Sequence, residues 1–253
     1  MSDTDGRINR MSRRRVLGLL GTVGAVILVG CEGGGESETD SGAEDNANTT
    51  CILTPTVTEG PYFVDENLNR SDLTTGTAEP SVVNGLPLQL NINVNVYDAN
   101  TAACTALSGV QIDVWHASAT GLYSDVSAQQ QGTDTTGETF LRGYQITDEN
   151  GDVSFTTIYP GWYQGRTVHI HLKARLFDAS GNETLEATTQ AFFDDPITDT
   201  VFANAPYSSR GTRDTRNADD DIYDNMTSLL LTLSAPSDGS PGYVGSFSLG
   251  ISV

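Results

Sequence analysis

From Leu88 to Val96, apolar and polar residues alternate: Leu88, Leu90, Ile92, Val94 and Val96 against Gln89, Asn91, Asn93 and Asn95. Successive side chains of a strand point to opposite faces, so this stretch buries one face and wets the other. A helix would scatter the same apolar residues around its circumference. The pattern returns at Val110, Ile112 and Val114 after Ser108-Gly109, and at Val153 and Phe155 after the turn-forming Asp148-Glu149-Asn150-Gly151. It returns again at Val168, Ile170, Leu172 and Ala174. Further strands are expected near Thr188–Phe193, Leu229–Ser234 and Tyr243–Ser252, and one short helix around Thr198–Ala203. Short strands separated by Gly, Asp and Asn turns predict an all-β fold, a single β-sandwich of mostly antiparallel strands. The polar, proline-containing segment from Cys51 to Pro87 is expected to be an extended N-terminal arm wrapping it.

The first fifty residues belong to something else. Arg7, Arg10, Arg13, Arg14 and Arg15 precede an uncharged run from Val16 to Gly30. That run is shorter than the roughly 20 residues that cross a bilayer comfortably, and a basic start with a short apolar core reads as an export signal. Ser12-Arg13-Arg14-Arg15-Val16-Leu17 resembles a twin-arginine signal, and Leu28-Val29-Gly30-Cys31 resembles a lipobox that exposes Cys31 for lipid attachment. Residues 32–50 contain no aromatic or large aliphatic side chain, so a disordered acidic spacer is expected. The expected organisation is a signal over 1–31, a linker over 32–50 and one domain over 51–253. The chain would be exported, with membrane contact only through the lipid at Cys31. With Cys31 so used, Cys51 and Cys104 remain as an even pair, and export permits a disulfide between them.

From Cys51 to Val253 the chain carries 8 basic and 25 acidic residues, and Lys173 is its one lysine. Such a surface repels nucleic acid and anionic lipid, so neither is expected as a partner.

Two of the three histidines in the chain form His169-Ile170-His171. On a strand these two imidazoles share a face, where they can hold one metal ion. Alone, the pattern describes two polar residues on a wet face equally well. Separated from His169 by five residues, Tyr159-Pro160-Gly161-Trp162-Tyr163 contains a Pro-Gly turn that can bring Tyr163 back toward the pair. A phenol beside two imidazoles suits a hard, highly charged metal such as iron(III), whereas zinc more often takes Cys, His and carboxylates.

Several stretches, in order, resemble the intradiol ring-cleavage dioxygenases, the family of catechol 1,2-dioxygenase and protocatechuate 3,4-dioxygenase. They are Thr58-Glu59-Gly60-Pro61-Tyr62-Phe63, Val110–Ala117, Phe140–Asp148, Thr157–Tyr163, Gly165–His171 and Thr188-Thr189-Gln190. The resemblance covers roughly Cys51 to Phe193. It implies a mononuclear non-haem iron(III) held by Tyr123, Tyr163, His169 and His171, with Tyr144 as the alternative to Tyr123. It implies that Arg166 stabilises negative charge on the substrate, that Gln190 hydrogen-bonds in the pocket and that Tyr163 helps take up a proton. His116 is read as a structural or outer residue. The implied reaction inserts both atoms of O2 into a catechol-type ring between its hydroxylated carbons, giving a muconate-type dicarboxylate.

The sequence departs from that family in two places. The helical dimer-forming segment of the catechol enzymes has no counterpart, which leaves a homo-oligomer open. The loop from Tyr163 to His169 is shorter and carries Thr167 where a proline often follows the arginine. The competing readings are an exported, non-catalytic sandwich that binds metal or carbohydrate, and a zinc hydrolase. The first leaves Arg166, Gln190 and both tyrosines unexplained, and the second lacks an HExxH-type motif.

Overall fold

The computed structural model describes residues 52–252. The expected signal, the spacer and Cys51 lie outside the described residues. Among the described residues no helix is long and apolar enough to cross a membrane.

Among the described residues nine strands form two sheets packed as a sandwich. The first sheet contains β1 (Pro87–Asp98), β2 (Ala103–Ala106), β5 (Asp152–Ile158), β8 (Thr232–Ser234) and β9 (Tyr243–Ile251). Its order is β2-β1-β9-β8, with β5 sharing the β2 edge of β1. The second sheet contains β3 (Gln111–Trp115), β4 (Arg142–Ile146), β6 (His169–Phe177) and β7 (Glu183–Phe192), in the order β4-β3-β6-β7. All pairings are antiparallel except β1 with β9, which run parallel. Between the sheets lies the apolar core. Leu88, Leu90, Ile92, Val94, Phe155, Phe247 and Leu249 enter it from one side, and Ile112, Val114, Ile170, Leu172, Ala174 and Ala191 from the other. Each of these positions follows from period-two alternation.

The short helix is α2 (Asp195–Phe202), which starts earlier than expected because Pro196 sits in its first turn, where no N–H is needed. A second helical turn, α1 (Ala128–Gln131), ends at Gly132 in the left-handed region.

On β6 both faces are buried, not one. The arm explains this. Val57 N donates to Thr188 O (2.9 Å), Lys173 bridges to Glu59 (2.6 Å) and Glu186 (3.1 Å), and Arg175 bridges to Asp65 (2.8 Å) and Asp113 (2.8 Å). The Lys173 ammonium lies 3.9 Å from the centroid of the Phe63 ring. The arm therefore crosses the outer face of the second sheet from β7 to β4, where Tyr144 N donates to Leu68 O (2.8 Å). Two buried cations on a strand would be costly without partners; the arm supplies one carboxylate to each, Glu59 and Asp65, and the neighbouring strands supply Glu186 and Asp113.

Candidate active site

Cross-strand register sets the site. Arg142 faces Trp115 across β4 and β3, Trp115 faces His171 across β3 and β6, and His171 faces Gln190 across β6 and β7. Directly opposed residues share a face, so these four form one row on the outer face of the second sheet. His169 is two residues before His171 on the same face. Trp115 stacks on His171 with ring centroids 4.7 Å apart and planes 6° from parallel, which fixes that imidazole's orientation.

Two loops bring in the tyrosines. The loop after β3 carries Tyr123, and the loop after β5 carries Tyr163. They interlock backbone to backbone: Gly161 N donates to Ser118 O (3.0 Å), and a Cβ on Gly161 would overlap the carbonyl oxygens of Ser118 and Ala119. Gly121, at φ +78°, is as tight against the Trp162 carbonyl. Arg210 joins both loops, donating to Thr120 O (2.6 Å) with its guanidinium 4.9 Å from the Trp162 ring centroid.

The result is a convergence of four donor atoms. His169 Nε2 lies 3.0 Å from His171 Nε2, 3.2 Å from the Tyr163 hydroxyl and 3.5 Å from the Tyr123 hydroxyl. The structure thus brings together Tyr123, Tyr163, His169 and His171. Tyr144 stands on β4, opposite Asp113 and two strands from β6, away from this convergence. Tyr62, carried in by the arm, stacks on Tyr123 at 4.6 Å and meets Tyr163 edge-on at 5.8 Å.

Protonation follows from burial. His169 Nδ1 donates to Thr167 O (2.7 Å), so the Nε2 lone pair faces the other three donors. Burial, then the Arg166 charge, lowers its pKa to about 3, and burial with the neighbouring His169 holds His171 well below the ordinary value. Both imidazoles are therefore neutral, and no proton competes for their lone pairs near neutral pH. Burial raises both phenols, Tyr123 most, so a nearby cation is what would ionise them.

These donors fit a shared metal ion. Without metal, one Nε2–H donates to the other imidazole at 3.0 Å; with a cation between them, both Nε2 atoms can present lone pairs while His171 Nδ1, buried and without a hydrogen-bond partner, carries the proton. Donors about 2.1 Å from one ion lie about 3 Å apart, which matches this spacing. Among the described residues no group of three or more His, Cys, Asp or Glu side chains is arranged to hold a metal ion, whereas two phenols and two imidazoles converge here.

Arg166 reaches the site from the short loop before β6. Its Nε pairs with Asp220 (2.8 Å) and its Nη2 donates to Gln190 Oε1 (2.6 Å), while Gln190 Nε2 donates to Thr58 O (2.9 Å). Gln190 is fully buried, with the two ends of its amide engaged by Arg166 and by Thr58 of the arm. Asp220 and Tyr62 were not singled out as site residues from the sequence. Asp220 sits in the run Asp219-Asp220-Asp221, which reads as solvated charge.

His116 faces away from the donors. Its Nδ1 donates to Ala117 O (2.9 Å), and its Nε2 accepts from the Thr157 hydroxyl (2.7 Å). Burial lowers its pKa to about 4. An unfolded histidine titrates near 6.5, so between these values the unfolded state binds a proton that the folded state refuses. Stability is full above about pH 6.5 and falls with acid through that window, by about 3 kcal/mol from this residue. Urea midpoints of metal-free protein from about pH 7.5 to about pH 4.5 should show a shallower acid slope in His116→Asn than in the parent. Equal slopes would exclude this role.

Comparison with known proteins agrees with this geometry. A family model described as Dioxygenase matches residues 58–209. An intradiol ring-cleavage dioxygenase from Tetranychus urticae is 30% identical over 80% of this chain and 95% of its own, with a TM-score of 0.65. The dioxygenase domain of a dioxygenase–carbohydrate-binding protein fusion from Streptomyces sp. SirexAA-E is 31% identical over 80% of this chain and 99% of its own, with a TM-score of 0.56. Catechol 1,2-dioxygenase from Acinetobacter sp. ADP1, 21% identical over 79% of this chain and 62% of its own, shares the fold with a TM-score of 0.52. A sandwich with this site and these relatives is a dioxygenase. The chain belongs to the intradiol ring-cleavage dioxygenase family and is an intradiol ring-cleaving dioxygenase.

Proposed function

We propose that this enzyme is a mononuclear non-haem iron(III) dioxygenase that inserts both atoms of O2 into a catechol-type ring and releases a muconate-type dicarboxylate. The observation that carries this is the convergence of two phenols and two neutral imidazoles on one point. Tyr123, Tyr163, His169 and His171 would hold the ion, which supplies Lewis acidity and a template for substrate and O2 when bound. Arg166 would stabilise negative charge on the substrate's oxygens, since its charge is permanent and its fork is fixed. Tyr163, half-buried where Tyr123 is fully buried, is the phenol better placed to take up a substrate proton. Tyr62 and Tyr123 give the site an aromatic wall suited to a planar ring.

The test is a visible spectrum of the full chain loaded with ferric iron, before and after catechol is added without oxygen. A wine-red tyrosinate–iron(III) band that shifts with catechol is expected. A colourless protein that holds metal would overturn the ligand set and favour the zinc or non-catalytic binding reading.

We also infer that the enzyme is exported, anchored by a lipid on Cys31 and stapled by Cys51–Cys104. The arginine-rich start, the short apolar run and Cys31 at its end support the first two. For the third, the chain next to Cys51 lies over β9 at Gly250, which is in the row of Asn95 on β1, and Cys104 faces Tyr97 on the same strand. Non-reducing mass analysis of protein from its own membranes should show chains starting at a lipid-modified Cys31 and a Cys51–Cys104 cross-linked peptide. Intact N-termini and two free thiols would refute all three.

A further inference from the structure

We propose that Asp220 is a positioning residue for ring cleavage, holding the Arg166 guanidinium in its working orientation. This rests on the reading of Arg166 given above. Asp220 is buried, and all its bonds go to fixed donors. Oδ2 accepts from Arg166 Nε (2.8 Å) and Thr167 N (2.8 Å), and Oδ1 accepts from Ile222 N (2.8 Å) and Tyr223 N (3.1 Å). Such a carboxylate cannot rotate without abandoning a backbone donor, so it is a rigid reference point. Nearby, Asn217 Oδ1 accepts from the Thr167 hydroxyl (2.6 Å) while its Nδ2 donates to Phe193 O (2.8 Å), and Asp214 Oδ1 accepts from Gly165 N (3.2 Å). Three consecutive loop residues, Gly165, Arg166 and Thr167, are thus clamped by 214–223, a segment beyond the 58–209 stretch that the family model matches.

The clamp acts where the loop leads into His169. Arg166 is held on two of its three nitrogens, Nε by Asp220 and Nη2 by Gln190, and among the described residues nothing accepts from Nη1. Losing Asp220 leaves the guanidinium tethered at one nitrogen and free to swing about it. A shift of about 1 Å in a positioning group costs about a hundredfold in rate. The clamp also suits the short loop: with few residues between Tyr163 and His169, the loop's own hydrogen bonding is limited, and outside contacts set its shape.

The experiment compares parent, Asp220→Ala, Asp220→Asn, Arg166→Ala and the Asp220→Ala/Arg166→Ala double variant as iron-loaded full chains. Catechol cleavage, iron colour and thermal midpoint are measured for each. In Asp220→Ala, kcat should fall about tenfold to a hundredfold at unchanged iron colour, and added formate, filling the vacated carboxylate site, should restore part of it. On the Arg166→Ala background the same substitution should cost less than about twofold, because its effect passes through Arg166. If Asp220→Ala does not fold, the isosteric Asp220→Asn carries the same comparison. A parent-like kcat in both Asp220 variants, or a loss of equal size with and without Arg166, overturns the positioning role. A parent enzyme without colour or cleavage would instead overturn the iron(III) reading, and this inference with it.

Discussion

Changing His169 to alanine is expected to strip the protein of retained iron and of ring cleavage together, while leaving the fold in place. Its Nε2 is the hub of the site, within 3.0 to 3.5 Å of each of the other three donor atoms. Removing partners that merely orient a metal ligand costs about 10- to 100-fold in affinity, so removing the ligand itself should cost at least about a hundredfold. The core should tolerate the change. The apolar face of β6 consists of Ile170, Leu172 and Ala174, and His169 faces the other way. The structural loss is the hydrogen bond to Thr167 O and the ring's packing against Tyr163 and Phe192, together worth about 2 to 4 kcal/mol. Iron content after dialysis, oxygen uptake with catechol and circular dichroism decide the matter together. A variant that keeps stoichiometric iron and the parent's colour would remove His169 from the ligand set.

Gly161→Ala should damage activity and stability at once, though it adds only a methyl group and touches no donor atom. The new Cβ would overlap two carbonyl oxygens, those of Ser118 and Ala119, and these belong to backbone rather than to a side chain that can swing aside. The loops must separate, and they carry Tyr163 and Tyr123. Overpacking of this kind costs about 1 to 3 kcal/mol, and a displacement of about 1 Å at the phenols costs about a hundredfold in kcat/KM. Gly181→Ala is the control. It sits at φ +81° with nothing within 4 Å of the added carbon, so it should cost about 1 to 2 kcal/mol and leave kcat/KM unchanged. If Gly161→Ala matches the control in kcat/KM, the loops are more compliant than their contacts imply.

Period-two alternation made much of the sandwich legible. It located the core strands β1, β3, β5 and β6 to within a few residues, because each buries a regular apolar face. It did not locate β2 or β4. β2 is short and mostly exposed, and β4 carries Arg142, Tyr144 and Gln145 beside Gly143, which obscures any apolar face. The parallel pairing of β1 with β9 joins segments about 150 residues apart, and no local pattern encodes it. The His-x-His pair was legible because strand geometry alone puts both rings on one face. Tyr123 rested on resemblance, since its approach depends on a long loop. Asp220 was illegible for a different reason: burial separates it from Asp219 and Asp221, and a sequence does not show which of three adjacent carboxylates turns inward.

Arg142, Trp115, His171 and Gln190 come from four strands and stand in a single row. Slipping any one strand by one residue would turn its member to the opposite face of the sheet. The row therefore exists only after every pairing in the second sheet is in register, when most of the cost of distant contacts has already been met. No fragment and no slipped conformer can present it. Only His171 of the row carries one of the four donor atoms, so it is the surround of the site, more than the donors themselves, that audits the topology of the whole sheet.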